Sequence, residues 1–451
     1  MATAQALALR YGDQKVPRYT SYPTAPHFHA LSAPTYREWL AALPRDTRLS
    51  LYLHVPFCAE LCWYCGCATT ITQNQSRLDA YVDLLVREIG LVTAAMANRP
   101  DIVHLHFGGG TPSAVGVEGL EKILDAVHAE FPFARDAELA LEIDPRTSDD
   151  ALVRGLAAMG FTRASLGVQS LDDHVQKVVN RIQPYEVTKA CADGLRAVGI
   201  EGLNLDLIYG LPYQTEENCR DDAKKVLDLR PDRLSVFGYA HVPQMRKHQQ
   251  LLPEDALPDG TARAAQFEAT REALEAAGYV RIGLDHFAHP DDAMAKASRD
   301  GTLHRNFQGY TVDPADALIG LGTTAIGSLP QGYAQNHHHL GDYRKAVQAG
   351  ELPVAKGRPV TAEDVARRRV IERLMCGGRV DLDEIARKSG VERRQLAPDR
   401  ERLAPLVEDG IVETDGVHFQ VPESHWSLLR LAAAAFDTYL DAGADRHSRA
   451  V

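Results

Sequence analysis

The stretch LYLHVPFCAELCWYCGC (residues 51–67) decides how the rest of the chain is read. Its first five residues alternate. Leu51, Leu53 and Val55 fall on one face of an extended strand, and Tyr52 and His54 on the other. Pro56 ends the strand, and Cys58, Cys62, Cys65 and Cys67 follow within ten residues. The other cysteines, Cys191, Cys219 and Cys376, are scattered and read as buried thiols. Seven cysteines in 451 residues make no disulfide framework, and tight clustering points to a metal or redox site. Gaps of three and two residues let one loop wrap a single cubane. Three thiolates would hold three irons and leave the fourth with an open position. Two competing readings use the same residues. One is zinc with Cys67 as a fourth thiolate, although no second, distant cysteine pair accompanies it. The other is a purely structural cluster.

Working outward, five more strand patterns follow: IVHLHF (102–107), ELALEI (138–143), RASLGV (163–168), GLNLDLI (202–208) and RLSVFGY (233–239). Helix-length segments such as SRLDAYVDLLVREIGLVTAAM (76–96) separate them. Strand–helix alternation predicts an α/β fold with a parallel sheet and helical crossovers. One strand face is apolar throughout. The other carries His104, His106, Glu142, Ser165, Gln169, Asn204 and Asp206. A closed eight-stranded barrel fills its lumen with Val, Ile and Leu. A polar inner face predicts instead a partial, open (β/α)6 TIM-type barrel around a ligand. A solvated antiparallel sheet would show the same alternation, but not the long connections. The cysteine loop follows the first strand, at the end where parallel barrels carry their sites.

The chain is acidic, with net charge -12, which makes it a poor default partner for nucleic acid or anionic membranes. No run approaches the roughly 20 apolar residues of a spanning helix. MATAQALALRYGDQ lacks an apolar signal core, so a cytoplasmic protein is expected. PRYTSYPTAPHF (17–28) reads as an ordered loop within an N-terminal arm. From Thr361 the pattern becomes helix, helix, helix and a hairpin around Asp415-Gly416, a small winged-helix-like module. Thr361 is its first N-cap. Arg367, Arg368 and Arg369 read as the exposed face of a helix rather than a DNA-binding stripe. His337, His338 and His339 read as a polar loop rather than a metal site.

HVPFCAELCWYCGC resembles the C-x3-C-x2-C motif of radical S-adenosylmethionine (SAM) enzymes. PRYTSYPTAPHF, the added Cys67, GGGTP, LDHFAHP, LHRNFQGY and AIG…GYAQN together resemble the oxygen-independent coproporphyrinogen III oxidase family, over nearly the whole chain. The resemblance implies a [4Fe–4S] cluster on Cys58, Cys62 and Cys65 and two molecules of SAM. Tyr52, Gly109, Glu142 and Ala240 are expected at the cluster-bound SAM, and Tyr64, Gly110, Thr111, Gln169, Arg181, Asp206 and Ile326 at the second. Read alone, Arg181 would be a surface charge after a helix. Cys67 is expected beside the cluster but not on it. Arg18, His286, Arg305 and Asn306 are candidates for substrate carboxylates. The implied activity converts two propionates of coproporphyrinogen III to vinyl groups, with a low-potential donor such as flavodoxin or ferredoxin, in a monomer. A haem-binding chaperone and a haem-modifying radical enzyme are the alternatives within the superfamily. The expected domains are an arm (1–48), the barrel (49–290), a barrel extension with substrate-site loops (291–360) and the helical C-terminal domain (361–451).

Overall fold

A computed structural model describes residues 7–440, except 8, 9 and 13. The chain divides into two compact units. The first is Phe28–Asp206 with Asp313–Pro359; the second is Met1–His27, Leu207–Val312 and Val360–Val451.

In the first unit, β1 (Leu49–Val55), β2 (Ile102–Gly109), β3 (Phe133–Ile143) and β4 (Arg163–Gln169) lie side by side in that order. β5 (Gly202–Tyr209), which crosses the division between units, follows β4. The pairs β1–β2, β2–β3 and β3–β4 are parallel, with Leu53 opposite Phe107 and Glu142 opposite Ser165. At the other edge of β1, Ala317–Leu321 adds in parallel. Ile326–Leu329, Gly332–Asn336 and Val354–Pro359 then continue the sheet antiparallel. The pairing is linear, and among the described residues no bond closes it into a barrel.

The sorting of faces follows the sequence. Leu51, Leu53, Val55, Leu105, Phe107, Leu141, Leu166 and Val168 are each at most 1% exposed. Burial of one such side chain contributes about 1.5–3 kcal/mol. The crossover helices bury matching stripes: Leu78, Leu85 and Ile89 of Gln75–Ala95, and Leu120, Ile123, Leu124 and Val127 of Gly116–Glu130. Asn74 caps the first by accepting from Arg77 N at 3.2 Å. Tyr52, His106, Glu142, Ser165, Gln169, Asn204 and Asp206, on the opposite face, are only half-buried.

In the second unit, β6 (Arg233–Gly238) pairs antiparallel with His286–Ala288, which turns back onto Val280–Ile282. The C-terminal part joins the helices Ala362–Gly377, Leu382–Ser389 and Arg400–Glu408 to a small sheet of Arg379–Asp381, His418–Gln420 and Glu413–Thr414. Thr361 is the N-cap: its Oγ1 accepts from Asp364 N at 3.1 Å. Gly378 and Gly390 close two helices in the left-handed conformation. The core here includes Leu7, Tyr11, Val16, Tyr19 and Tyr22 together with Val370, Leu374, Phe419 and Phe436. Tyr19 Oη donates to Asp437 at 3.1 Å. One expectation fails at the arginine triplet. Arg367 is buried, donating to the carbonyls of Gln395 and, at 3.1 Å, Phe436. It ties the helix to its neighbours instead of lining an exposed face. Among the described residues no helix is long and apolar enough to cross a membrane.

Candidate active site

The cysteine loop leaves the C-terminal end of β1. Phe57–Cys58 pairs in parallel with Thr70–Ile71, and Thr72 N donates to Cys58 O at 3.0 Å, closing the loop at its base. Cys65 N donates to Cys62 O at 3.1 Å, and Trp63 N to Val179 O at 2.9 Å. Cys62 is buried, Cys58 and Cys65 are half-buried, and Cys67 is exposed.

The surroundings of Cys62 are cationic. Arg146 Nη2 and Arg181 Nη1 each lie 3.6 Å from its Sγ. Both guanidinium groups share Asp144, at 2.7 Å from Arg146 and 3.2 Å from Arg181. Burial alone would raise the Asp144 carboxyl, but the Arg146 hydrogen bond and the two positive charges outweigh it and hold it below the usual range. Arg181 is therefore a buried partner of this loop and not the surface charge its sequence position allows. Arg146 also meets Glu60 at 3.4 Å, so two carboxylates hold the two guanidiniums while both stay turned to the Cys62 sulfur.

The donor set fits a cluster. Burial pushes the Cys58 thiol up to about 11, so a metal's charge would be needed to hold it as thiolate at neutral pH. Thr111 Oγ1 sits 3.5 Å from the same sulfur. Among the described residues no three His, Cys, Asp or Glu side chains converge on a single-ion site. Thiolates on separate irons of a cubane need not converge so closely. His337, His338 and His339 lie in a loop ahead of the helix Leu340–Gln348.

Beside the loop, the end of β2 is bare by necessity. A Cβ on Gly110 would stand 2.6 Å from Phe57 O and 3.0 Å from Cys58 Sγ, and one on Gly108 2.8 Å from Glu142 Oε1. Glu142, near the end of β3, accepts from Gly109 N at 3.0 Å and lies 3.4 Å from His106 Nε2. Burial opposes ionisation, but His106 and the Gly109 amide more than offset it, so the Glu142 carboxyl sits below its ordinary range. Tyr52 Oη pairs with His54 Nδ1 at 3.0 Å, and its ring stacks on His106 with centroids 5.9 Å apart. This group can offer carboxylate oxygens and backbone polar groups to a ligand along β2 and β3.

Further along the same face, Asn204 Nδ2 donates to Asp206 Oδ1 at 2.8 Å and Ser165 Oγ to its Oδ2 at 3.2 Å. Arg181 Nη2 donates to Gly167 O at 2.7 Å, and a Cβ on Gly167 would meet Gln169 Nε2 at 2.8 Å. Gln169 has φ +70°, a left-handed conformation that a side chain adopts at a cost of about 1–2 kcal/mol. Tyr64 neighbours Arg181 and Cys62. Ile326 opens its strand opposite Gln335.

The expected residues thus fall into groups. Tyr52, Gly109 and Glu142 come together, as do Tyr64, Arg181 and Cys62, and Thr111 with Cys58. Ala240, after β6, belongs to the second unit, where its carbonyl accepts from Gln249 Nε2 at 3.3 Å. Arg18, His286, Arg305 and Asn306 are in that unit too. The sequence put His106, Ser165 and Asn204 on the polar inner face without a role for each, and gave no sign of Asp144 and Arg146 as site residues. Only their place, in IDPR, directly after a strand on the side where the cysteines lie, sets those two apart.

Comparison with known proteins gives a consistent result. Residues 52–226 match the radical SAM superfamily, and residues 360–428 match the HemN C-terminal domain. The oxygen-independent coproporphyrinogen III oxidase of Bradyrhizobium diazoefficiens is 49% identical over 99% of this chain and 99% of its own. The protein of the same name from Paracoccus denitrificans is 42% identical over 97% of each. The solved coproporphyrinogen III oxidase HemN of Escherichia coli, a radical SAM enzyme, superposes with a TM-score of 0.89 at 37% identity, covering 95% of this chain and 100% of that one.

Proposed function

Because the chain belongs to the oxygen-independent coproporphyrinogen III oxidase family of radical SAM enzymes, we propose that it converts two propionate side chains of coproporphyrinogen III to vinyl groups, giving protoporphyrinogen IX. The observation that carries this reading is the loop of Cys58, Cys62 and Cys65 at the end of β1, set against the bare end of β2 and the ionised Glu142.

When bound, the [4Fe–4S] cluster and SAM supply a one-electron cleavage that yields a carbon radical able to take hydrogen from an unactivated C–H bond. The chemistry demands this. A propionate has no adjacent electron sink, so loss of carbon dioxide as a polar step has nowhere to send its electron pair. Removal of one hydrogen atom from the carbon β to the carboxylate changes that. Carbon dioxide is then lost, one electron passes to a one-electron acceptor, and the alkene forms, with no general base at the reacting carbon.

The chain's residues would bind and position. Cys58, Cys62 and Cys65 would hold three irons, and Arg146 and Arg181 would donate to the Cys62 sulfur. Glu142, fixed by His106 and Gly109, would accept from the ribose hydroxyls of the cluster-bound SAM, with Tyr52 and Gly109 beside it. Tyr64, Gly110, Thr111, Gln169, Arg181, Asp206 and Ile326 are proposed for a second SAM molecule. The shared polar face of Gln169, Arg181 and Asp206 supports that placement. Cys67 would stay off the iron. A monomeric, cytoplasmic enzyme fed by a flavodoxin- or ferredoxin-type donor completes the reading.

The test is anaerobic incubation of the reconstituted protein with reductant, SAM and coproporphyrinogen III. Protoporphyrin after oxidation is expected. An intact cluster with no protoporphyrin, together with stoichiometric haem binding, would favour a haem-carrying protein.

A further inference from the structure

No contact with SAM or substrate is assigned to Arg146, yet its side chain is fixed at several points beside the cysteine loop. Asp144 follows β3 and caps the turn Pro145–Thr147, accepting from Arg146 N at 3.1 Å, while Thr147 Oγ1 donates to Asp144 O at 3.1 Å. The Arg146 side chain folds back on the carboxylate that caps its own backbone. Its Nε donates to Asp144 Oδ1 at 3.0 Å and its Nη2 to Oδ2 at 2.7 Å, a two-pronged grip. Its Nη1 reaches Glu60 Oε2, inside the cysteine loop, at 3.4 Å. The guanidinium plane is therefore set by both carboxylates. Nη2 carries a second hydrogen, and Cys62 Sγ lies 3.6 Å from that nitrogen. Arg181 Nη1 lies equally near the sulfur, but Arg181 also donates to Gly167 O and is proposed for the second SAM. Arg146 has no such second task.

Asp144 and Glu60 match the two guanidiniums charge for charge. Seen from a distance the group is close to neutral, so at the sulfur the nearest N–H counts most. A thiolate that ligates iron carries more negative charge when the cluster is reduced than when it is oxidised. A donor aimed at that thiolate stabilises the reduced state more, which raises the potential. Cys62 is 7% exposed, so water competes little for its lone pairs. A guanidinium suits the task because it stays charged and its planar fork holds direction.

We infer that Arg146 is a redox-tuning residue: its Nη2–H, held toward the Cys62 sulfur by Asp144 and Glu60, stabilises the reduced cluster and raises the potential at which one electron enters from a low-potential donor. The electron passes from that donor to the cluster, and no bond to Arg146 forms or breaks. Asp144 and Glu60 are positioning residues for it. The inference rests on the proposed function for the cluster held by Cys58, Cys62 and Cys65.

The test is a redox titration of the reconstituted protein without SAM, followed by electron paramagnetic resonance of the reduced cluster, with iron and sulfide counted on the same samples. The variants are Arg146→Met, which removes every side-chain N–H, the neutral Arg146→Gln and the charge-conserving Arg146→Lys. Arg154→Met is the control, because it removes a cation that is 68% exposed at the surface. The Met variant is expected to keep its iron and sulfide. Its reduced-to-oxidised ratio at a given potential should fall about tenfold, a shift of about 59 mV to lower potential for one electron. Arg146→Lys should recover part of the shift, and Arg154→Met should match wild type. In turnover, the Met variant should lose more activity with a flavodoxin-type donor than with excess titanium(III) citrate. Wild-type potential in Arg146→Met, or in Arg146→Gln if the Met variant takes up no cluster, would overturn the inference. An equal shift in Arg154→Met would also overturn it, as would loss of the cluster from both neutral variants, which would make Arg146 a structural residue. The expected shift in a protein whose wild type makes no protoporphyrin would overturn the proposed function and leave the tuning standing.

Discussion

Gly110 and Asp144 show how tightly single residues bound the cysteine loop. A methyl group on Gly110 would meet the carbonyl of Phe57 at 2.6 Å, and a backbone atom cannot swing aside. Gly110→Ala is expected to lose most of its iron and sulfide on anaerobic reconstitution while the rest of the chain folds. Normal cluster content would contradict this. Asp144 is the shared counter-ion of Arg146 and Arg181. Asp144→Asn leaves the buried Arg181 without that carboxylate, while Arg146 keeps Glu60, and should lower stability by about 2–4 kcal/mol, read from denaturant unfolding. The sign with pH follows from the carboxyl being depressed in the folded chain. Its contribution is present above the unfolded value near 3.9 and is lost as pH falls through the lower folded value. Among the cysteines, Cys58→Ala, Cys62→Ala and Cys65→Ala should each abolish the cluster's absorbance, whereas Cys67→Ser should retain it. Loss in all four would restore the four-thiolate reading.

At the scale of elements, the helix Gln75–Ala95 anchors the loop before Ile326 through one buried acid. Glu88 is 1% exposed and accepts from Gly322 N at 2.7 Å, Asn336 Nδ2 at 2.6 Å and Tyr343 Oη at 2.6 Å. Burial still pushes its carboxyl up to about 7. A raised folded value means full stabilisation below the unfolded value near 4.3, lost as pH rises through about 7. Over that window the loss is on the order of 3 kcal/mol. Glu88→Gln should flatten the dependence of the denaturation midpoint between those pH values. An unchanged slope would place the titration elsewhere. The same scale shows why strands were easy to read. β1 to β6 were visible in alternation because each buries one face and keeps polar residues on the other. The extension of the sheet from Ala317 to Pro359 was not, because its glycines and apolar residues show no period.

Across the whole molecule, local pattern and distant contact contributed unequally. The cysteine spacing and the glycine run could be read from adjacent residues, whereas Glu142 stood out only by its place on the polar strand face and by the resemblance. The division of the chain was not. The described residues of 7–27 share a unit with those of 360–440, and Leu7, Tyr11, Val16 and Tyr19 join its core without any periodic spacing. Arg181, Arg367 and Arg430 likewise look like solvated charges until the groups they meet are known. The proposed chemistry needs one iron with no protein sulfur on it. The most direct measurement is electron–nuclear double resonance on the reduced, reconstituted protein, with SAM isotope-labelled at its methionine amino nitrogen. A hyperfine coupling from that nitrogen to the cluster is predicted. A [4Fe–4S] signal indifferent to the label, or zinc in place of iron, would contradict it.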